Sequence, residues 1–418
     1  MIADRRRSPG RAGFVGLATL FATALTVVCA GCGSGAASDS PADGARSSGA
    51  AAPTTPATAR VPQADPATAS LSCAQQVYAR LTGPQRVGQL FLAGVTADAV
   101  GPATETALAR YHFGSLLLAT DTSEGAAAVS AATAHIQSLA TPAITGSARF
   151  FIAANQEGGT VQALKGPGFP TMPSALIQGS WPVSELQQQA ASWGRELRAA
   201  GVNLDLAPVM DVVPKATVGT NAPIGELDRE FGYSPDVTGP HGAAFIEGMA
   251  SAGVATTAKH FPGLGRVTGN TDFTSDVVDT VTTPDDPYLG SYRSAILAGV
   301  PFVMVALATY TKIDPSHLAA FSPVVMNLLR SRLGFRGVII SDDLGDAAAV
   351  ASMPAGERAI DFIEAGGDMI TTQSLAPAEV MARAVLARAT TDAAFRSQVN
   401  AAAMRILSAK QAYGLLPC

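Results

Sequence analysis

The residues best placed by type and spacing to do chemistry lie in S-D-D-L-G-D at 341–346. There, three carboxylates, Asp342, Asp343 and Asp346, follow the short apolar run Gly337, Val338, Ile339 and Ile340. A continuous apolar run of this length reads as a parallel strand buried on both faces. The carboxyl ends of such strands are where α/β proteins hold their reactive groups, so an acid there can face a substrate while the residues behind it fix its position. Asp342, nearest the strand, is the candidate for chemistry, and Asp343 and Asp346 are read as caps of the next helix. Lys259 and His260 follow a second run, 254–258, so an ammonium and an imidazole would stand at the same mouth, with Pro262 and Gly263 turning the chain over it. The five histidines are scattered and show neither a His-x-x-Glu-His spacing nor a calcium-loop pattern, so no metal site is expected. Gly263-x-Gly265 follows no dinucleotide pattern and no other stretch looks like a phosphate cradle, so no cofactor is implied.

The elements that must position these groups repeat along the chain. Apolar, β-branched runs predict strands at 88–93, 114–119, 150–154, 203–207, 254–258, 302–306, 337–341 and 368–371. Helices are predicted at 182–200, 239–252, 287–298, 322–333 and 356–365, and 377–411 is long enough for more than one. Apolar residues at three- and four-residue spacing support them, as in Val325, Leu328, Leu329 and Leu333. Strand–helix alternation selects the α/β class, and the count of eight selects a closed (β/α)8 TIM-type barrel forming a single catalytic domain, 72–418.

The front of the chain is of another kind. Arg5, Arg6, Arg7 and Arg11 precede an apolar stretch at 14–28, and Cys29-Ala30-Gly31-Cys32 ends it with small residues before a cysteine. This is an export signal, 1–31, too short to span a bilayer comfortably. It resembles a bacterial lipoprotein signal, which implies lipidation at Cys32 and a protein held on the outer face of the cell membrane; Cys29 stands where such signals normally carry Leu or Val. Residues 32–71 are Ala-, Ser-, Thr- and Pro-rich and cannot bury enough to fold. As a tether they would reach on the order of 35 to 40 Å, placing the folded part in or near the cell wall. The signal carries a net charge of +3, four Arg against Asp4, so its removal takes the chain from −5 to −8. An acidic protein is a poor candidate for nucleic acid, and the balance leaves a neutral carbohydrate open. With Cys29 and Cys32 in the signal, Cys73 and Cys418 remain at the two ends of the folded region. Outside the cytoplasm such a pair can oxidise, and a barrel's first and last elements are neighbours, so a bridge between them is expected.

Five segments occur in the order found in glycoside hydrolase family 3: N-Q-E-G-G-T-V-Q (155–162), D-L-A-P-V-M-D-V (205–212), I-G-E-L-D-R-E-F-G (224–232), K-H-F-P-G-L-G (259–265) and G-V-I-I-S-D-D-L (337–344). The chain resembles the family's single-domain β-N-acetylglucosaminidases, which trim peptidoglycan fragments. The resemblance implies Asp342 as the nucleophile of a retaining hydrolysis, with Lys259 and His260 holding sugar hydroxyls. It also implies Arg229 as a planar donor to the sugar and Asp211 as an acid near the site or in its scaffold. The alternative for Arg229 is an exposed ion pair with Asp228 or Glu230.

Three positions depart from the family pattern. Asn155 stands where an Asp usually accepts bonds from sugar hydroxyls, keeping an acceptor without the charge. Ala163 stands where an arginine is common, with Lys165 the nearest substitute. Aligned from Gly265, Asn270, Thr271 and Asp272 occupy the places of an Asp-Ser-His triplet that family members carry on a mobile loop, so the usual acid/base histidine is gone. An Asp can do that work if burial or the nucleophile's charge raises its pKa, which makes Asp272 the candidate acid/base, with Asn270 orienting it. The resulting expectation is a retaining exo-β-N-acetylglucosaminidase acting on peptidoglycan or its fragments. The alternatives are a catalytically weakened sugar-binding lipoprotein, or a family 3 barrel with another glycosyl specificity or with phosphate as acceptor.

Overall fold

The computed structural model describes residues 71–97 and 100–418. The signal segment 1–31, Cys32 and the tether as far as residue 70 lie outside the described residues.

Eight parallel strands close into a barrel: β1 (Phe91–Val95), β2 (Ser115–Leu118), β3 (Phe151–Ala154), β4 (Leu204–Asp205), β5 (Ala255–Phe261), β6 (Phe302–Val305), β7 (Val338–Asp343) and β8 (Met369–Thr372). Each pairs with its neighbours in sequence, and β8 closes on β1 through Phe91 opposite Ile370. This is the (β/α)8 architecture expected from the sequence. Every residue of β1, β2, β3, β6 and β8 is buried, which is why these strands read as unbroken apolar runs.

Boundaries moved where polar residues are part of a strand. β5 continues through Lys259 and His260 to Phe261, so the dipeptide expected after the strand lies on it. β7 likewise runs on to Asp343. The first predicted strand begins three residues too early, because Gly88 and Gln89 end a helix, Gly83–Gln89. Gly88 has no space for a side chain, since a Cβ would sit 2.0 Å from the His112 carbonyl oxygen.

The long C-terminal helical stretch is two helices, α1 (Leu375–Thr391) and α2 (Ala393–Ala412). They break at Asp392, whose carboxylate accepts from the amides of Ala394 and Phe395 and caps α2. The predicted 322–333 helix is shorter, Pro323–Asn327, and passes into a π turn, Leu328–Arg332. The small-residue helix Gly125–Ser138 carries too weak an apolar stripe to be read from sequence.

The end of the barrel away from the cavity is closed by the first and last described helices. The helix Cys73–Arg80 buries Ala74 and Val77 with Leu407 of α2, and Cys73 and Cys418 are joined by a disulfide with Cα atoms 5.8 Å apart. Lys410 of α2 is fully buried and donates to Gln89 Oε1 (2.8 Å) and Gly114 O (2.7 Å), tying the last helix to the segments that enter β1 and β2. Burial pulls its pKa down to about 7. At the opposite end, the strand termini open into the cavity described next.

Candidate active site

After β3 the chain forms a two-stranded ribbon, Gln156–Gly158 against Val161–Gln162. It reverses at Gly158 and Gly159, both at positive φ (101° and 59°), and a Cβ on Gly158 would lie 2.2 Å from Pro173 O. The ribbon aims Glu157, which is 4% exposed, at two cations. Arg229 grips its carboxylate with Nε and Nη2, both at 2.8 Å, and Lys259 Nζ lies 2.6 Å from Oε1. Burial acts to raise the Glu157 pKa, but the two cations outweigh it and hold the carboxyl at about 2.

Arg229 spends a third donor on Pro223 O (2.7 Å), which leaves two of its five N–H groups for a ligand. Its partner is Glu157, so the exposed pairing with Asp228 or Glu230 is not what forms. The loop carrying Arg229 is tied down by Asn221, whose side chain accepts from Gly225 N and donates to Leu264 O and Val267 O. Lys259 also donates to Asn155 Oδ1 at 3.1 Å.

Asp211 does not line the cavity. It is fully buried behind His260, and its carboxylate accepts from His260 Nδ1 (2.7 Å), His260 N (3.1 Å), Leu264 N (2.8 Å) and Tyr292 Oη (3.1 Å). Burial opposes ionisation there, yet His260 and these donors hold its pKa below the usual value. Of the two roles the sequence left open, its place fits the scaffold and not a ligand contact: Asp211 fixes the His260 ring and leaves Nε2 to face the cavity.

Asp342 faces the cavity from the end of β7, part-exposed, and its Oδ1 accepts from the Asp343 amide at 2.9 Å. The caps expected of Asp343 and Asp346 are not helix caps. Asp343 holds the turn after β7 by accepting from Gly345 N and Asp346 N, and Asp346 accepts from Ser374 Oγ. Burial, helped by Asp342 and Asp346, lifts the Asp343 pKa to about 6 against those backbone donors.

Asp272 reaches the cavity from the segment between β5 and β6. The tip is set by backbone bonds: Asp272 N to Asn270 Oδ1 (2.9 Å), Phe273 N and Thr274 N to Asn270 O (3.0 and 2.8 Å). Two more bonds cross the cleft mouth, from Ala348 N to Asp272 O and Ala349 N to Thr271 O (both 3.1 Å). Asn270 therefore orients the backbone of Asp272, not its carboxyl as expected. The Asp272 carboxyl is raised above its usual pKa by the desolvating cleft walls and then by the charge of Asp342; His260, Arg229 and Lys259 oppose the shift.

Asn155, Arg229, Lys259, His260, Asp272 and Asp342 thus meet around one cavity of about 240 Å³. That is below the roughly 300–1,000 Å³ of pockets for drug-sized ligands, and suits one sugar ring. Ala163 is buried beside it without reaching in, and Lys165 is no substitute arginine, since it pairs with Asp121 at the surface (2.7 Å). Among the described residues, no group of three His, Cys, Asp or Glu could hold a metal ion.

The sequence reading missed four groups. Glu157 lay inside a quoted motif, and its signal was an acid beside two Gly in a chain with a buried Lys and Arg to neutralise. Asp205, at the end of β4, is fully buried near the clamp with Oδ2 unpartnered, and burial lifts its pKa well above the usual carboxylate range. Tyr292, distant in sequence, gave no signal. Glu230 is buried with neither oxygen partnered, and burial raises its pKa to about 7.

Set chemically, one carboxylate can attack from the cavity wall while a raised carboxyl across from it gives and takes a proton, around a ring held by two cations and an imidazole. A family model described as the glycosyl hydrolase family 3 N-terminal domain matches residues 84–409. The crystal structure of a β-N-acetylhexosaminidase from Beutenbergia cavernae is 44% identical, with a TM-score of 0.77 over 79% of this chain and 99% of that one. The β-hexosaminidase LpqI of Mycobacterium tuberculosis is 30% identical over 376 residues, 85% of this chain and 87% of the relative. A β-hexosaminidase of Stenotrophomonas maltophilia is 34% identical over 231 residues, 52% of this chain, and the match spans just under two thirds of that relative, 65%.

Proposed function

The chain belongs to glycosyl hydrolase family 3, and from that membership we propose that it is a retaining exo-β-N-acetylglucosaminidase. The observation that carries the reading is the convergence of Asp342 and Asp272 on one monosaccharide-sized cavity with Arg229, Lys259 and His260. The relatives named as β-hexosaminidases support the acetamido sugar.

In the first step an Asp342 oxygen bonds to the anomeric carbon as the bond to the leaving oxygen breaks, and Asp272 gives that oxygen its proton. In the second, water attacks the same carbon, its proton passes to Asp272, and the Asp342 carboxylate is released. The Asp272 pKa suits both halves. Part of its upward shift comes from the Asp342 charge, which vanishes when Asp342 becomes an ester, so Asp272 is the stronger acid when the intermediate forms and is ready as a base. Arg229, Lys259, His260 and Asn155 hold the ring, with Asp211 positioning His260.

Export through the 1–31 signal, lipidation at Cys32 and a tether of about 40 residues belong to the same proposal. They put the barrel on the outer face of the membrane within reach of peptidoglycan or its fragments.

A fluorinated N-acetylglucosamine analogue that slows the second step should label the peptide containing Asp342, as read by peptide mass mapping. Label on another residue, or a product of inverted configuration by NMR, overturns the mechanism. Sugar binding with no turnover would favour the binding-protein alternative that the missing histidine raised.

A further inference from the structure

We infer that Phe273 is the platform for the leaving half of the substrate, taking the apolar face of a second pyranose ring. This rests on the hydrolase reading above only in assigning sides: the cavity at Asp342 holds the ring to be released, and Asp272 marks the direction of departure.

Phe273 is 82% exposed yet lines the cleft. Isolated exposed apolar side chains are ordinary on protein surfaces and need no explanation. What separates this one is how it is held. The tip that carries it is fixed by five hydrogen bonds, three onto Asn270 and two from Ala348 and Ala349 across the mouth. The ring is therefore presented to water by an ordered turn. Half-buried Leu227 and Val161 line the same cleft and extend the apolar surface.

The placement follows from chain geometry. Phe273 is the residue after Asp272, with Cα atoms about 3.8 Å apart. The oxygen that Asp272 protonates is bonded directly to the leaving ring, so that ring lies within one residue's reach of the aromatic face. A pyranose presents C–H groups on its faces and hydroxyls around its edge, which suits a flat apolar surface with water at the margins. The cavity has room for about one ring, the one Asp342 must reach, so a second ring falls to the exposed tip that carries Phe273.

The test is binding, measured by calorimetry in an Asp342→Asn background that prevents turnover, with N-acetylglucosamine and its β-1,4-linked disaccharide as probes. With Phe273 present the disaccharide should bind about tenfold tighter than the monosaccharide. Phe273→Ala should remove that advantage and leave the monosaccharide Kd within about twofold, while Phe273→Trp keeps the advantage. Equal weakening of both probes, or no change in either, overturns the assignment. So does a loss confined to a monosaccharide bearing a peptide, which would make the occupant a stem peptide. Turnover by the unmodified protein is assayed separately, so an inactive enzyme would reject the hydrolase reading while the binding ratio still decides the role of Phe273.

Discussion

The floor and the lip of the cleft are built by opposite means. On the floor the functional side chains are held in buried networks: Glu157 is clamped by Arg229 and Lys259, and Asp211 accepts four hydrogen bonds, two from side chains and two from backbone amides, to hold His260. On the lip, Asp272 and Phe273 are exposed, and the bonds that hold their tip fix main chain while leaving both side chains free. A site that must recognise one ring rigidly, yet accept many leaving groups, can divide its labour this way. Side chains on the floor are coupled, so a change in one is felt by its partners; those on the lip can be exchanged singly.

The sharpest way to break that division is Asp272→Ala. If the lip supplies chemistry alone, hydrolysis of a disaccharide should fall by about 10² to 10⁴, and that of an activated aryl glycoside by less than about tenfold, because only the former needs a proton for its leaving oxygen. The pH profile gives a second readout. Asp272 must be protonated in the first step and its pKa is raised, so disaccharide turnover should decline as pH rises through that value, and this basic limb should vanish in the variant. Equal losses on both substrates would mean that Asp272 is part of the binding floor.

The floor answers to a different measurement. Glu157→Gln leaves the Lys259 and Arg229 charges without their buried counter-ion, which by analogy with broken buried pairs costs about 3–5 kcal/mol of stability. Thermal and denaturant unfolding should show it. The sign with pH is equally defined. The carboxyl sits at about 2 when folded against an ordinary 4.5, so its contribution is complete above 4.5 and fades as pH falls towards 2. The Gln variant should lack that part of the acid destabilisation. A variant as stable as its parent would show the clamp to be replaceable, and the contrast with the lip would fail.

How much was legible follows the same division. The barrel was readable because the buried strands are dominated by apolar residues, and Asp342 because it follows the run at 337–340. The strand ends were misplaced where function puts charge on the ladder itself: Lys259 and His260 are on β5, and no periodicity assigns a buried Lys to a strand. Glu157 and Asp211 were undervalued for a related reason, since their importance lies in partners 72 and 49 residues away, which only folding brings together. Asp272 could be located only by counting from Gly265, because an exposed turn leaves no apolar pattern to register.

The smallest expected effect bears most finely on the comparison. Asn155 offers an uncharged oxygen to Lys259, in a cluster where the one Glu157 carboxylate faces two cations. That cluster carries one positive charge in excess, so an Asp at 155 would be compensated and would accept bonds from sugar hydroxyls as an anion. Hydrogen bonds to charged groups exceed neutral ones by about 1 kcal/mol, so Asn155→Asp should lower KM about fivefold. Because the floor holds the ring alike before and during reaction, kcat should stay within about twofold, the signature of uniform binding. Steady-state kinetics on the disaccharide separates the two constants. A change in kcat with KM unmoved would show that position 155 senses charge developing at the anomeric carbon, and that floor and lip share the chemistry after all.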